Sequence, residues 1–384
     1  MLKKLNVKGL NHKLNFSLSF NNDLNILTGK NGSEKTTVLK LIWYLISGNI
    51  EKLFPEIDFD YLILETDKFS LEILSNIDTK RSSFEIALVR ENYPPIKENI
   101  FFSTRIGDSS ERAYNTRLSM AYIEKTNNLN NEIIKLSNSS VFFPTFRRIE
   151  GGFSINSQQR GLRRLKSSLQ DAMSELSERL SVDNHQFVSS ISTEDIVDLL
   201  TKRYADISKE INELQTDLSK SIIAQINDYS GQHGLPERER LEDATTILDN
   251  IQKQVSTVTE QREEALQPFS VLSDFIGEIF QDKSIEVTES IKLGQTEEVI
   301  SSEKLSAGEK QMLSFLCYNA LSENTYIFID EPELSLHVDW QRLLFPKLLS
   351  QSTNNQFIVA THSPFIYSKY PDKELLLDAD RGDS

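Results

Sequence analysis

The sequence has 384 residues and 38% apolar content, enough for a large core and for more than one folding unit, and its 42 basic and 57 acidic residues leave a formal net charge of -15. That charge argues against indiscriminate binding to nucleic acid or anionic membrane, although a local basic patch can coexist with it. The single cysteine, Cys317, excludes an internal disulfide, and the strand-like N-terminus and lack of any apolar run of membrane-spanning length lead us to expect a cytoplasmic protein with no membrane partner.

Taken in order, Lys4 to Gly9 and Leu14 to Phe20 alternate apolar and polar residues, which predicts a hairpin, and Leu24 to Thr28 predicts a third strand. The stretch Gly29-Lys30-Asn31-Gly32-Ser33-Glu34-Lys35-Thr36-Thr37 follows, opening a helical pattern at Val38 to Ile46. A glycine-rich loop between a strand and a helix aims backbone N–H groups into a concavity where a triphosphate can be held. Gly29, Asn31, Gly32, Ser33, Lys35, Thr36 and Thr37 are the candidate nucleotide-binding residues, with Lys35 reaching the β- and γ-phosphates of ATP and the Thr36 hydroxyl ligating Mg²⁺. One position breaks the pattern. The P-loop G-x-x-x-x-G-K-[ST] wants glycine where this chain has Glu34, so a side chain must adopt a conformation normally left to glycine and a carboxylate is expected beside phosphates.

Beyond this helix, Tyr61 to Glu65, Phe69 to Ile73 and Ser83 to Val89 predict short antiparallel strands, with Tyr93-Pro94-Pro95 read as a turn. A polar stretch is read as helical over Tyr114 to Lys135. Val141 to Phe143 is a short apolar strand running into Pro144-Thr145-Phe146-Arg147-Arg148-Ile149-Glu150, which reads either as a loop leaving a sheet edge toward a site or as a surface turn. From Gln158 to about Pro268 the pattern is helical, and apolar residues spaced by threes and fours (Leu200, Tyr204, Ile207, Ile211; then Leu241, Ala244, Leu248, Ile251) give each of two helices one seam. Gly231, Gly234 and Pro236 break the pattern between them, which predicts an antiparallel hairpin with an arm on the order of 45 Å, or an ordinary helical lobe. His233 at its tip reads as a solvated loop residue. The expected divisions are therefore 1–157, 158–268 and 269–384.

The last division is read as an apolar helix over Ser270 to Phe280 and a strand over Ser284 to Leu293. Ser306 and Gly308 then start the helix Met312 to Leu321, an anion-binding arrangement. Tyr326 to Ile329 is an apolar strand ending in Asp330-Glu331-Pro332-Glu333, where an α/β nucleotide site needs metal coordination and a base. Ser335-Leu336-His337 precedes a helix, and the buried strand Gln356 to Ala360 ends in Thr361-His362-Ser363.

In this order the motifs resemble those of an ABC-type ATPase head of the Rad50, SMC, RecF and OLD class, over about residues 1–150 and 270–370. The resemblance implies an α/β head with a mixed sheet, split in sequence by an inserted helical hairpin. It also implies two heads sandwiching ATP, so that Ser306 and Gly308 of one copy close the site of the other, in a dimer or higher homo-oligomer. In this scheme Asp330 and Thr36 organise Mg²⁺, Glu331 activates water, and His362 contacts the γ-phosphate. Arg147 or Arg148 stands where the family's Mg²⁺-sensing glutamine is expected. The chain is most similar to compact ATPases of bacterial anti-phage systems such as Septu, PARIS and retron systems. OLD nucleases carry a nuclease domain after the switch histidine, whereas 22 residues follow His362 and Asp378, Asp380 and Asp383 form an acidic tail, so any nuclease or toxin effector is expected on a separate partner chain. Two alternatives remain. One is a DNA-clamping repair ATPase, motivated by Arg160, Arg163, Arg164 and Lys166, and the other is a hydrolysis-deficient scaffold, motivated by Glu34. Glu34 itself is open to three readings: tuning toward a long-lived ATP state, an inactivated copy, or an introduced mutation.

Overall fold

A computed structural model describes residues 1–78, 81–102, 120–145, 148–149, 175–191, 193–230, 237–279 and 305–377. The chain forms two compact units, Met1–Ile191 with Ser306–Ser384, and Ser192–Leu305.

The first unit contains two six-stranded sheets. One is antiparallel, in the order β2-β1-β4-β5-β6-β7, from β1 (Leu2–Leu10), β2 (Leu14–Ser19), β4 (Tyr61–Thr66), β5 (Phe69–Asp78), β6 (Arg81–Arg90) and β7 (Tyr93–Phe102). Its alternation is that of a sheet with one buried face, with Leu5 and Val7 inside and Lys4 and Lys8 outside. The hairpin and the next three strands lie where the sequence predicts them. Tyr93-Pro94-Pro95 is a correction, since it begins a strand instead of a turn. Among the described residues β7 pairs with β6 alone, and an edge strand tolerates residues without an N–H.

The second sheet is all parallel, in the order β10-β8-β12-β13-β3-β14, from β3 (Leu24–Thr28), β8 (Ser140–Phe143), β10 (His185–Phe187), β12 (Tyr326–Asp330), β13 (Gln356–Ala360) and β14 (Glu374–Leu376). Every residue of β3, β8, β12 and β13 is buried, which is why these strands read as mostly apolar runs without alternation. A small parallel ladder joins β9 (Arg148–Ile149) to β11 (Ser190–Ile191). Strands β10 and β11 lie in a region read from sequence as helical. Elements of three and two residues are too short to carry a period, and it is pairing with β8 and β9 that defines them.

Helix α1 (Lys35–Ile46) shares one core with both sheets and is apolar almost all round, with Val38, Leu39 and Leu41 to Ile46 buried. Helices α2 (Ile50–Glu56), α3 (Met120–Leu136) and α4 (175–180) follow, and α7 (Ala307–Ala320), α8 (Val338–Leu349) and α9 (Pro364–Tyr367) complete the unit. Trp43 of α1 packs on Phe142 and Phe187, and its indole N–H donates to the Ser140 hydroxyl at 3.1 Å. That hydroxyl also meets His185 Nδ1 at 2.8 Å, and burial lowers the His185 pKa to about 4, so this imidazole is neutral at physiological pH. Cys317 is buried in α7, where burial pushes its thiol pKa up.

The second unit contains α5 (Thr193–Ser230) and α6 (Glu237–Ile279). Tyr204 meets Phe269, while Ser221 and Gln225 meet Gln254, so the helices run antiparallel as the sequence predicts. At 38 residues, α5 is about 57 Å long, more than the expected arm. Pro268 lies inside α6 instead of ending it, so the helix expected at Ser270 to Phe280 is its continuation, and this compact unit runs Ser192–Leu305. Of the predicted seam residues whose burial is described, Leu200, Ile207 and Ile211 are buried, whereas Leu248 is exposed. Among the described residues no helix is long and apolar enough to cross a membrane. The expectations at 284–293, His233, Arg147, Arg160 to Lys166 and Asp378 to Asp383 lie outside the described residues.

Buried Gln356 ties the two sheets at their bases. Its Oε1 accepts from Leu2 N–H at 2.8 Å, and its Nε2 donates to the carbonyls of Leu2 (2.9 Å) and Asn21 (2.6 Å). Gln356→Leu strands these buried groups, and denaturant unfolding should show a loss of about 2–4 kcal/mol.

Candidate nucleotide-binding site

Parallel register decides which residues can meet. Ala360 lies level with both Leu27 and Asp330, and Ile329 lies level with Phe143. The carboxyl ends of β8, β12, β13 and β3 therefore open on one edge, where α/β sheets bind ligands. Each delivers its motif there: Thr145 after β8, Asp330 to Glu333 at β12, Thr361 and His362 after β13, and the loop from Gly29 after β3.

Lys35 is buried and folds back on its own loop. Its Nζ donates to the carbonyls of Gly29 (2.9 Å) and Lys30 (3.1 Å), with Ser33 Oγ at 3.4 Å. Burial lowers its pKa, while the carboxylates of Glu331, Asp330 and Glu333 oppose that shift. Asn31 and Gly32 are exposed on the loop, and the Ser33 N–H closes a turn on the Lys30 carbonyl at 3.1 Å. Thr36 Oγ1 donates to Asp330 at 2.9 Å to Oδ2 and 3.1 Å to Oδ1. The Thr145 hydroxyl donates to the same Oδ2.

Glu331 leaves the strand in a left-handed conformation (φ 48) while its N–H still donates to the Ala360 carbonyl at 2.8 Å. His362 Nε2 lies 4.0 Å from Glu331 Oε1. Burial first, and Lys35 second, lower the His362 pKa below the ordinary 6.5, so the ring is neutral at pH 7 and can donate from one nitrogen. Glu333 fixes this segment, accepting from Thr361 Oγ1 at 2.8 Å and from the His362 backbone N–H at 2.7 Å.

Ser306 caps α7 in a reciprocal box with Glu309, at 3.3 Å and 2.6 Å, and is exposed. Gly308 packs against the Ser335 carbonyl so closely that a Cβ there would lie 2.4 Å from it, and only glycine fits. Ser306 and Gly308 thus belong to a rigid α7 start beside Ser335, while the loop, Asp330, Glu331 and His362 form the other group.

Glu34 is left-handed (φ 64, ψ 24), as its glycine position demands. Its carboxylate differs from expectation. Oε2 accepts from Thr37 Oγ1 at 2.6 Å and from Asn11 Nδ2 at 3.0 Å, in the turn between β1 and β2. Thr37, expected to face nucleotide, has its hydroxyl committed to Glu34. Sequence reasoning assigned no role to Thr145, Glu333 or Asn11. Thr145 and Glu333 at least adjoin motifs that were read, whereas Asn11 is an ordinary turn residue with no local signal.

The donor set fits Mg²⁺. Asp330 and the Thr36 hydroxyl are hard oxygen ligands already in contact, and among the described residues no group of three or more His, Cys, Asp or Glu could hold a metal by itself. A cation here would complete its shell with phosphate oxygens and water, as Mg²⁺ does.

Comparison with known proteins extends these observations. Endonuclease GajA of Bacillus cereus (strain VD045) is 41% identical over 63 residues, 15% of this chain and 11% of GajA. Retron Ec83 probable ATPase of Escherichia coli is 36% identical over 74 residues, 16% of this chain and 14% of that protein. Each match therefore spans less than a sixth of the relative's length. Solved structures with similarity include the Smc head domain with an extended coiled coil bound to the C-terminal domain of ScpA from Pyrococcus furiosus, with TM-score 0.36, 14% identity, and 96% of this chain and 91% of that chain covered. The SmcHead bound to the C-winged helix domain of ScpA gives TM-score 0.39, 13% identity and the same 96% and 91% coverage. The sequence profile of the AAA ATPase domain family matches residues 1–367, nearly the whole length, and the chain belongs to that family and is an ATPase.

Proposed function

We propose that the chain binds ATP with Mg²⁺ on the loop after β3, hydrolyses it slowly, and uses nucleotide state to associate with a second copy and control a separate effector, a nuclease or toxin, in anti-phage defence. The observation that carries the catalytic part is the Thr36–Asp330 contact at the aligned strand ends, with Glu331 and His362 beside it. Lys35 exchanges the carbonyls of Gly29 and Lys30 for phosphate oxygens, and the N–H groups of the loop and of the first turn of α1 hold the rest. Thr36 and Asp330 would hold Mg²⁺, which would supply neutralisation of phosphate charge, and the Thr145 hydroxyl keeps Asp330 oriented. Glu331 accepts a proton from the attacking water, and the neutral His362 ring donates toward the γ-phosphate. Glu333 holds the His362 backbone for that contact.

Exposed Ser306 on its rigid helix start offers anion-binding geometry to a neighbouring copy. The defence role and the separate effector rest on the resemblance to compact anti-phage ATPases and on the short matches to endonuclease GajA and a retron probable ATPase.

ATP binding and phosphate release on the purified protein test the first part. Lys35→Ala should abolish measurable binding, while Glu331→Gln should keep binding and lose about 10²–10³-fold in turnover. A parent protein that binds no ATP at millimolar concentration sinks the reading and leaves a scaffold. For assembly, Glu331→Gln in ATP should sediment as a dimer or larger, and adding Ser306→Arg should return it to monomer with ATP affinity unchanged within about threefold.

A further inference from the structure

Glu34 should damage a phosphate site, yet its carboxylate is held elsewhere. Both hydrogen bonds to Oε2 come from groups that cannot exchange roles. Thr37 Oγ1 is the donor at 2.6 Å, and against a carboxylate acceptor the Asn11 amide must present its NH₂, here at 3.0 Å. The carboxylates that act on neighbouring Lys35 are those of Glu331, Asp330 and Glu333. Asn11 itself sits on a fixed support. It is left-handed (φ 47), and its N–H donates to the Asp58 carbonyl at 2.8 Å. The His12 and Lys13 N–H groups close on Gly9 and Leu10 at 3.0 Å each, and the Gly9 N–H donates to Asn15 Oδ1 at 2.7 Å. At Gly9 (φ +72) a Cβ would fall 2.0 Å from Asp60 Oδ2, so a side chain there would displace the Asp60 carboxylate and take up a left-handed backbone.

We propose that Asn11 is a positioning residue for the nucleotide site: from the β1–β2 turn its amide, with the Thr37 hydroxyl, holds the Glu34 carboxylate off the phosphate cradle and so makes a charged residue tolerable in the loop. The inference rests on the nucleotide reading above. It separates two consequences of a P-loop glutamate, leaving the backbone strain in place and removing the charge repulsion. Asn11 touches no reacting group, so its effect falls on ATP affinity and acts only through Glu34.

The test is a double-mutant cycle on the full chain, measuring the Kd for ATP with Mg²⁺, kcat and thermal midpoint. Asn11→Asp sets one carboxylate against another and frees Glu34, and should raise the Kd about tenfold with kcat at saturation within about twofold. Asn11→Ala should move the Kd in the same direction by less, and serves if Asn11→Asp folds poorly. In a Glu34→Gly background both Asn11 changes should shift the Kd by no more than about twofold, because the charge they release is gone. Equal weakening in both backgrounds would make Asn11 merely structural and overturn the inference, as would an unchanged Kd in the parent. If neither the parent nor Glu34→Gly binds ATP, the nucleotide reading falls and takes this inference with it.

Discussion

Asp330 is the buried charge on which the site depends. Only 1% exposed, it sits at the end of a central strand where an unsupported carboxylate would be strongly disfavoured. Hydroxyls from two other segments, Thr36 at the start of α1 and Thr145 after β8, satisfy it. Those bonds need the ends of β3, β8 and β12 to be level, which is a matter of sheet register and not of local sequence. Register in turn follows from strands buried on both faces, where a slip would strand core residues. Core packing and site chemistry are therefore one constraint read at two ends of the same strands.

A second carboxylate works differently. Glu333 lies just past the strand end and accepts from the Thr361 hydroxyl and the His362 backbone N–H, so it positions the chain that carries His362. The acidic run 330–333 thus divides its labour. Asp330 is turned to a hydroxyl pair, Glu331 is thrown outward by its left-handed backbone, and Glu333 clamps the adjacent strand end. Three like charges so close together would repel one another if all faced one volume. Their hydrogen-bond partners differ, and Lys35 lies in the field of all three.

Much of this was legible in sequence. The P-loop and the apolar strands with polar ends fix the α/β class and the candidate residues, because each signal is local: period, glycine placement and an acid after a strand. What escaped was set by tertiary context. β7 has prolines at its second and third positions, which lack ladder donors, and its edge position is what lets it be a strand. β10 has three residues and no period. Pro268 reads as a stop, but α6 carries on through it. The hairpin's apolar spacing was clear, yet the pattern could not tell that Leu248 is exposed. In the site, Asn11 could not be foreseen, because nothing in a turn sequence says which distant carboxylate it will meet.

The left-handed residues show where the fold holds strain. Most of the described non-glycine cases are Asn, Asp, His or Ser in turns, where such a backbone is inexpensive, but Glu34 and Glu331 have no such excuse. Each costs about 1–3 kcal/mol and persists because its neighbours over-determine it. Glu34 is fixed by the two donors on its carboxylate, and Glu331 by its N–H on the Ala360 carbonyl. Ser335 (φ 70) belongs to the same edge, its carbonyl pressed against Gly308. Strain held by apolar packing can relax only by opening the core. Strain held by a few polar bonds can relax when a ligand exchanges those bonds, and here every such bond lies in or beside the loop, the acidic run or the start of α7.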